Sequence, residues 1–192
     1  AIQRLLENKE HYAWAPEEVG DWQRASGWIS NQSNSDIRAW LSQSGRWDKP
    51  FDEREALPFS GSPDDDLLAW ILAESNAMSL SRLFCEQLLG RARPEHPVVW
   101  VSDGQGIELA SGLGLALRDF AMLGQLLVET RSSRSRTKIP GWFVETLTAS
   151  SGMRSTEVKG LSKGSERRYG FVHLGGSRNR VALIGAHGTS LY

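Results

Sequence analysis

Three things are scarce in these 192 residues, and each scarcity excludes something. A single cysteine, Cys85, rules out an internal disulfide framework and a cysteine-based zinc site. No long apolar run exists. Stretches such as Leu67 to Leu72 fall far short of the ~20 residues that cross a bilayer, and the start does not read as a signal peptide. Charge of one sign is also missing: 22 Lys+Arg stand against 23 Asp+Glu, net -1, so no chain-wide basic field awaits nucleic acid or an anionic membrane. What is there is 40% hydrophobic and 23% charged, enough for a packed core of about one domain rather than a disordered chain.

Both ends read as cut through structure. Ala1 opens directly on Ile-Gln-Arg-Leu-Leu, a helical pattern, and Tyr192 closes an apolar, strand-like stretch, so a segment of a longer protein is expected. Residues 1–63 are rich in Trp, Ser, Asn and Asp and read mostly as loop. A short helix stands at the extreme start and another over Asp36 to Ser42, with Ser35 as N-cap and Ile37, Trp40 and Leu41 on one face. Ser62-Pro63-Asp64-Asp65-Asp66 has the chemistry of a helix start, with Pro suited to N1 and acids at the positive helix end. It predicts a helix buried on most sides through Leu67-Leu68-Ala69-Trp70-Ile71-Leu72, its acids solvated. A further helix is expected over Ser79 to Leu89, with Gly90 as its stop.

Val98 to Val101 reads as a strand ended by Asp103-Gly104-Gln105-Gly106. Leu117 to Val128 is the most regular helical pattern, and Trp142 to Leu147 reads as another helix after Pro140. Tyr169 to Leu174 and Val181 to Ile184 alternate like a hairpin. Helices first and strands last argue α+β.

Several stretches fall in an order that resembles the beta-lactamase-related serine hydrolases. Ala110-Ser111-Gly112-Leu113-Gly114, followed by Arg118-Asp119-Phe120-Ala121-Met122-Leu123-Gly124, is similar to that family's strand and following helix. Leu5-Leu6 with Trp14, Phe59 through Leu67-Leu68-Ala69-Trp70-Ile71 and Glu74, and Leu183-Ile184-Gly185-Ala186-His187-Gly188 resemble three further elements. The branch implied is that of the 6-aminohexanoate-dimer hydrolases and carboxylesterases.

The resemblance implies a partial penicillin-binding-protein-like domain over 1–192. Residues 1–95 would form the helical and loop part, and residues 96–192 a strand–helix–hairpin part with two or three antiparallel strands. It implies acyl transfer on an ester, linear amide or lactam: a small acyl substrate, no cofactor, no metal, no nucleic acid and no membrane. By the same resemblance the N–H of Ala186 would be an oxyanion donor, Gly185 would let substrate approach, and His187 would lie beside the site. Ser60 stands where the family has Tyr and Ser62 where it has Asn, or Gly61 if the alignment slides by one residue, and none of these supplies a phenol for proton transfer. The family's Ser-x-x-Lys helix would precede Leu5, so the chain as it stands is expected to hydrolyse nothing.

Two other readings stay open: a catalytically dead relative used for binding, and an unrelated α+β interaction protein. Ser135-Arg136-Thr137-Lys138 matches Ser-x-x-Lys, but in a basic loop rather than at a buried helix start. The basic residues of that stretch read as a solvated loop. Trp70 and Trp142 read as core. Trp14, Trp22, Trp28 and Trp47, in loops, are the candidates for an acyl-pocket wall. His11, His96 and His173 lack acidic or Cys partners at metal spacing.

Overall fold

A computed structural model describes residues 11–12, 14–29, 34–43, 51–52, 63–130, 165–168, 171–174, 180–184 and 190–191. The elements run β1 (His11–Tyr12), α1 (Pro16–Ala25), α2 (Ile37–Leu41), β2 (Phe51–Asp52), α3 (Pro63–Asn76) and α4 (Leu80–Phe84). A π-helical turn (Cys85–Leu89) and α5 (Gly90–Ala92) continue α4. Then come β3 (Val99–Ser102), β4 (Glu108–Gly114), α6 (Leu117–Thr130), β5 (Glu166–Arg168), β6 (Phe171–His173), β7 (Val181–Ile184) and β8 (Ser190–Leu191). The class is α+β, as the element order suggested, and the strands are more numerous than the two or three expected. No helix among the described residues is long and apolar enough to cross a membrane.

Helix α1 lies in a stretch that reads as loop. Pro16 suits its first turn, Glu17 and Glu18 face the positive helix end, and the Ala15 N–H donates to Glu18 Oε2 at 2.9 Å. The apolar signal of this helix is thin, and its main anchor is Trp22, only 4% exposed. Helix α2 starts one residue later than the sequence suggests. Asp36, not Ser35, is the N-cap, accepting the Ala39 N–H at 2.8 Å. Ser35 is buried instead, and its Oγ accepts the Gly104 N–H at 2.7 Å.

The core joins Trp22, Ile37, Trp40, Leu41 and Leu109, with Trp14 stacked obliquely on Trp40 at 5.4 Å between ring centroids. Leu109 is fully buried and comes from β4, which pairs antiparallel with β3 through an irregular register near Val101. Gly112 is required there: a Cβ would sit 2.6 Å from the Val101 carbonyl oxygen. Helix α3 forms as expected but is not buried on most sides. Its buried positions are Pro63, Asp64 and Asp66, while Leu72 is exposed. The helix after Ser79 runs past Gly90 to Ala92, where Arg93 turns left-handed at φ 51°. Ser79 is its N-cap.

The expected hairpin is present as β6 and β7, with Val172 opposite Ala182, both buried. It extends into an antiparallel sheet of order β5-β6-β7-β8. Helix α6 packs on β8. The expected helices at the start and over Trp142 to Leu147 lie outside the described residues.

Candidate functional site

A groove of about 320 Å³ lies between α2, α3, the turn leading into α4, and the start of β4. Spacing places its residues. Trp70, Ala73 and Glu74 recur at three and four along α3 and so share one face, opposite Arg38 of α2 and Ile107–Glu108 entering β4. The turn at the end of α3 closes through Met78 N–H to Ala73 O at 3.1 Å. It puts Ala77 at φ 47°, a conformation that costs a residue with a Cβ.

On one wall Arg38 Nη2 lies 2.8 Å from Glu74 Oε1, and the guanidinium carbon stands 5.6 Å from the centre of the Trp70 ring. Trp70 Nε1 donates to the same Oε1 at 3.2 Å. On the other wall Glu108 accepts from the Ser81 N–H at 2.8 Å and the Ser81 hydroxyl at 2.5 Å. Ser79 Oγ is 3.2 Å from Ser81 Oγ.

Asp66 also lines the groove. Its Oδ2 accepts the Trp22 indole N–H at 2.7 Å and its Oδ1 the Ala110 N–H at 2.8 Å, so one carboxyl ties α1, α3 and β4 together. Burial pushes its pKa up to about 6, against the two hydrogen bonds, which favour the charged form; Asp65 and Asp103 add to the rise. Beside it, Asp64 Oδ1 accepts the Trp14 indole N–H at 3.0 Å. The acids read as a solvated helix start are thus partly interior, because distant indoles reach them. Only Asp65 of the three is exposed.

Two more aspartates organise the surroundings. Asp103 accepts the N–H groups of Ile37, Gln105 and Ile107 at 2.8, 2.9 and 2.8 Å, fixing the start of α2 and the turn that carries Gly106 at φ +80°. Asp119, 1% exposed, accepts the Glu95 N–H at 2.8 Å and the His96 N–H at 3.1 Å, and its Oδ2 lies 3.0 Å from His96 Nδ1. The Glu95 N–H first, then the His96 contacts, hold this carboxyl below the usual range despite its burial.

Of the residues singled out from the sequence, Ser60, Ser62, Gly185, Ala186 and His187 lie outside the described residues, as do Trp47 and Ser135 to Lys138. Trp28 is described, in the turn after α1 and 45% exposed, and is not part of the groove lining. Trp22 is a buried core residue on a helix rather than a pocket wall. Trp14 packs against that core, and Trp70, read as core, lines the groove. Arg38 and Glu108 were missed. The signal for the first was its place beside the buried Ile37 on a short amphipathic helix. His96 does have an acidic neighbour, brought from 23 residues away by the fold. No family model matches the sequence, and no curated protein matches it.

Proposed function

We propose that this chain is part of a serine hydrolase of the beta-lactamase-related type, which transfers the acyl group of an ester, linear amide or lactam to water. In this reading the chain supplies scaffold and acyl-binding surface, and a serine outside it supplies the nucleophile. The support is one continuous run. Strand β4, holding Ala110 to Gly114, leads through a two-residue link into α6 with Asp119 buried in its first turn, and α6 rests on the strand beside β7. That is the succession of elements in which the resemblance lies, and β7 ends at Ile184, immediately before Gly185 and Ala186.

The chemistry is that of the family the chain resembles. A serine gives up its hydroxyl proton and attacks the acyl carbon, and backbone N–H groups including that of Ala186 hold the tetrahedral oxyanion. The C–O or C–N bond breaks as the alcohol or amine takes up a proton, and water then hydrolyses the acyl-serine ester to release the acid and restore the serine. The test is turnover of a short-chain p-nitrophenyl ester by the full-length protein, together with covalent labelling by a fluorophosphonate. Labelling with turnover is the expected result; absence of both sinks the hydrolase reading. A second reading, a catalytically silent binding protein of the same fold, is favoured by Ser60 at the position of the family's tyrosine. It is the reading left standing if the ester is bound but neither turned over nor labelled.

A further inference from the structure

The groove beside Trp70 has a charge balance that acyl transfer does not use. Its charged side chains are one arginine, Arg38, against three carboxyl groups, Asp66, Glu74 and Glu108. Arg38 is already engaged through Nη2, paired with Glu74, and is stacked over Trp70, while its buried Nε has no hydrogen-bond partner among the described residues. An anionic guest would meet carboxyl groups and a guanidinium with its charge already matched. A cation meets an excess of negative charge, and opposite charges attract at the reduced effective dielectric of a protein surface, before desolvation is subtracted.

A second observation points the same way. The wall formed by Trp70 and Glu74 already holds a cation, that of Arg38, by the two interactions that bind ammonium and guanidinium groups generally: a ring face and a carboxylate. The bonds from Arg38 and Trp70 to Glu74 both fall on Oε1, and its side chain is 59% exposed, so the second oxygen is open to a further donor. The floor is apolar, built from Ile37, Leu41, Ala69 and Ile107, and the volume lies at the low end for ligand sites, which favours a small molecule over a polymer.

We propose that this groove binds a small organic ammonium ion, its alkyl body on Trp70 and the apolar floor and its charged head taken by Glu74 and Glu108. Arg38 then acts as a built-in competitor for the same wall. The proposal goes beyond the acyl-transfer reading and does not rest on it: ester turnover and labelling decide that reading whatever this groove binds.

The experiment is a titration of the full-length protein, followed by backbone amide shifts, with n-butylammonium, butyrate and n-butanol as probes of equal size and different charge. The expected result is saturating shifts at Trp70, Ala73 and Ile107 with the ammonium alone. Glu74→Gln weakens that binding about threefold, the scale of one part-exposed charge pair. Arg38→Met tightens it, because the competitor is gone while an apolar stem remains. An anion-binding groove would respond to Arg38→Met with the opposite sign. Tighter binding of butyrate, looser ammonium binding in Arg38→Met, or ammonium shifts that never saturate or fall elsewhere would overturn the proposal. If either variant fails to fold, the three probes on the unaltered protein decide it alone.

Discussion

Asp66 and Asp119 both expose little surface, 5% and 1%, yet their protons are held oppositely: Asp66 has its pKa pushed up to about 6, Asp119 below the usual range. The difference lies in what surrounds each carboxyl. Asp66 accepts two hydrogen bonds and has Asp65 and Asp103 near enough to oppose its charge. Asp119 accepts two backbone N–H bonds, has an imidazole nitrogen 3.0 Å away, and gains from the His96 charge. Burial is the leading influence at Asp66, whereas at Asp119 the Glu95 N–H outweighs it and the His96 contacts add to the fall.

The largest effect expected from breaking this comparison is at Asp119. Asp119→Ala strands the Glu95 and His96 N–H groups in the connector between α5 and β3, and it also removes the contact that fastens that connector to the first turn of α6. Urea unfolding at pH 7 should show a greater loss for this variant than for any change at Asp66. Equal losses would mean that both aspartates are packing residues and nothing more.

Next comes the pH dependence of Asp66. Its folded pKa is about 6 against an ordinary 3.8, so the folded protein holds this proton more tightly than the unfolded chain does. Its contribution to stability is therefore full below about pH 4 and lost as the pH rises through about 6, amounting to about 3 kcal/mol. Asp119 works in the reverse sense: its contribution is present above the ordinary carboxylate range and lost as the pH falls through its depressed value. Asp66→Asn should abolish the decline between pH 4 and 6 and leave the protein at least as stable as the parent at pH 8, though the amide can accept from only one of the two donors. Unfolding curves at pH 4.5 and 8 check this, and a decline that persists in Asp66→Asn would place it on another group.

How far the sequence reaches is clearest at these same residues. Helices α3 and α6, strand β3 and the β6–β7 hairpin are legible because each is set by local pattern: a capped start, a 3.6-residue rhythm, an alternation around a glycine-rich turn. Helix α1 is not, since few apolar residues mark its inner face and Trp22 carries most of its anchoring. The burial of Asp64 and Asp66 is not legible either. It depends on indole N–H groups 50 and 44 residues away and on the Ala110 amide, and nothing in Pro-Asp-Asp-Asp encodes those partners. The groove shares that property: Trp70 and Glu74 are neighbours by spacing, but Arg38 and Glu108 reach them only through the tertiary fold.

A smaller change sharpens the contrast from the other side. Trp22→Phe keeps most of the ring in the core and deletes the N–H that favours ionised Asp66. It should cost about 1 kcal/mol at neutral pH and move the fall in stability to higher pH, because one of the two bonds holding the charge is gone. Unfolding midpoints across pH 5 to 8 read both effects, and an unmoved pH profile would mean that the Ala110 amide alone balances the carboxylate.

The smallest effect is expected at His96, whose side chain is 52% exposed while its partner is buried. His96→Gln removes the imidazole and keeps the backbone N–H at that position, so Asp119 retains the Glu95 N–H, its strongest support. The loss at pH 7 should stay under about 1 kcal/mol, as for other half-exposed pairs. A larger loss would mean that the imidazole, rather than the backbone amides, is the main support of the Asp119 carboxylate.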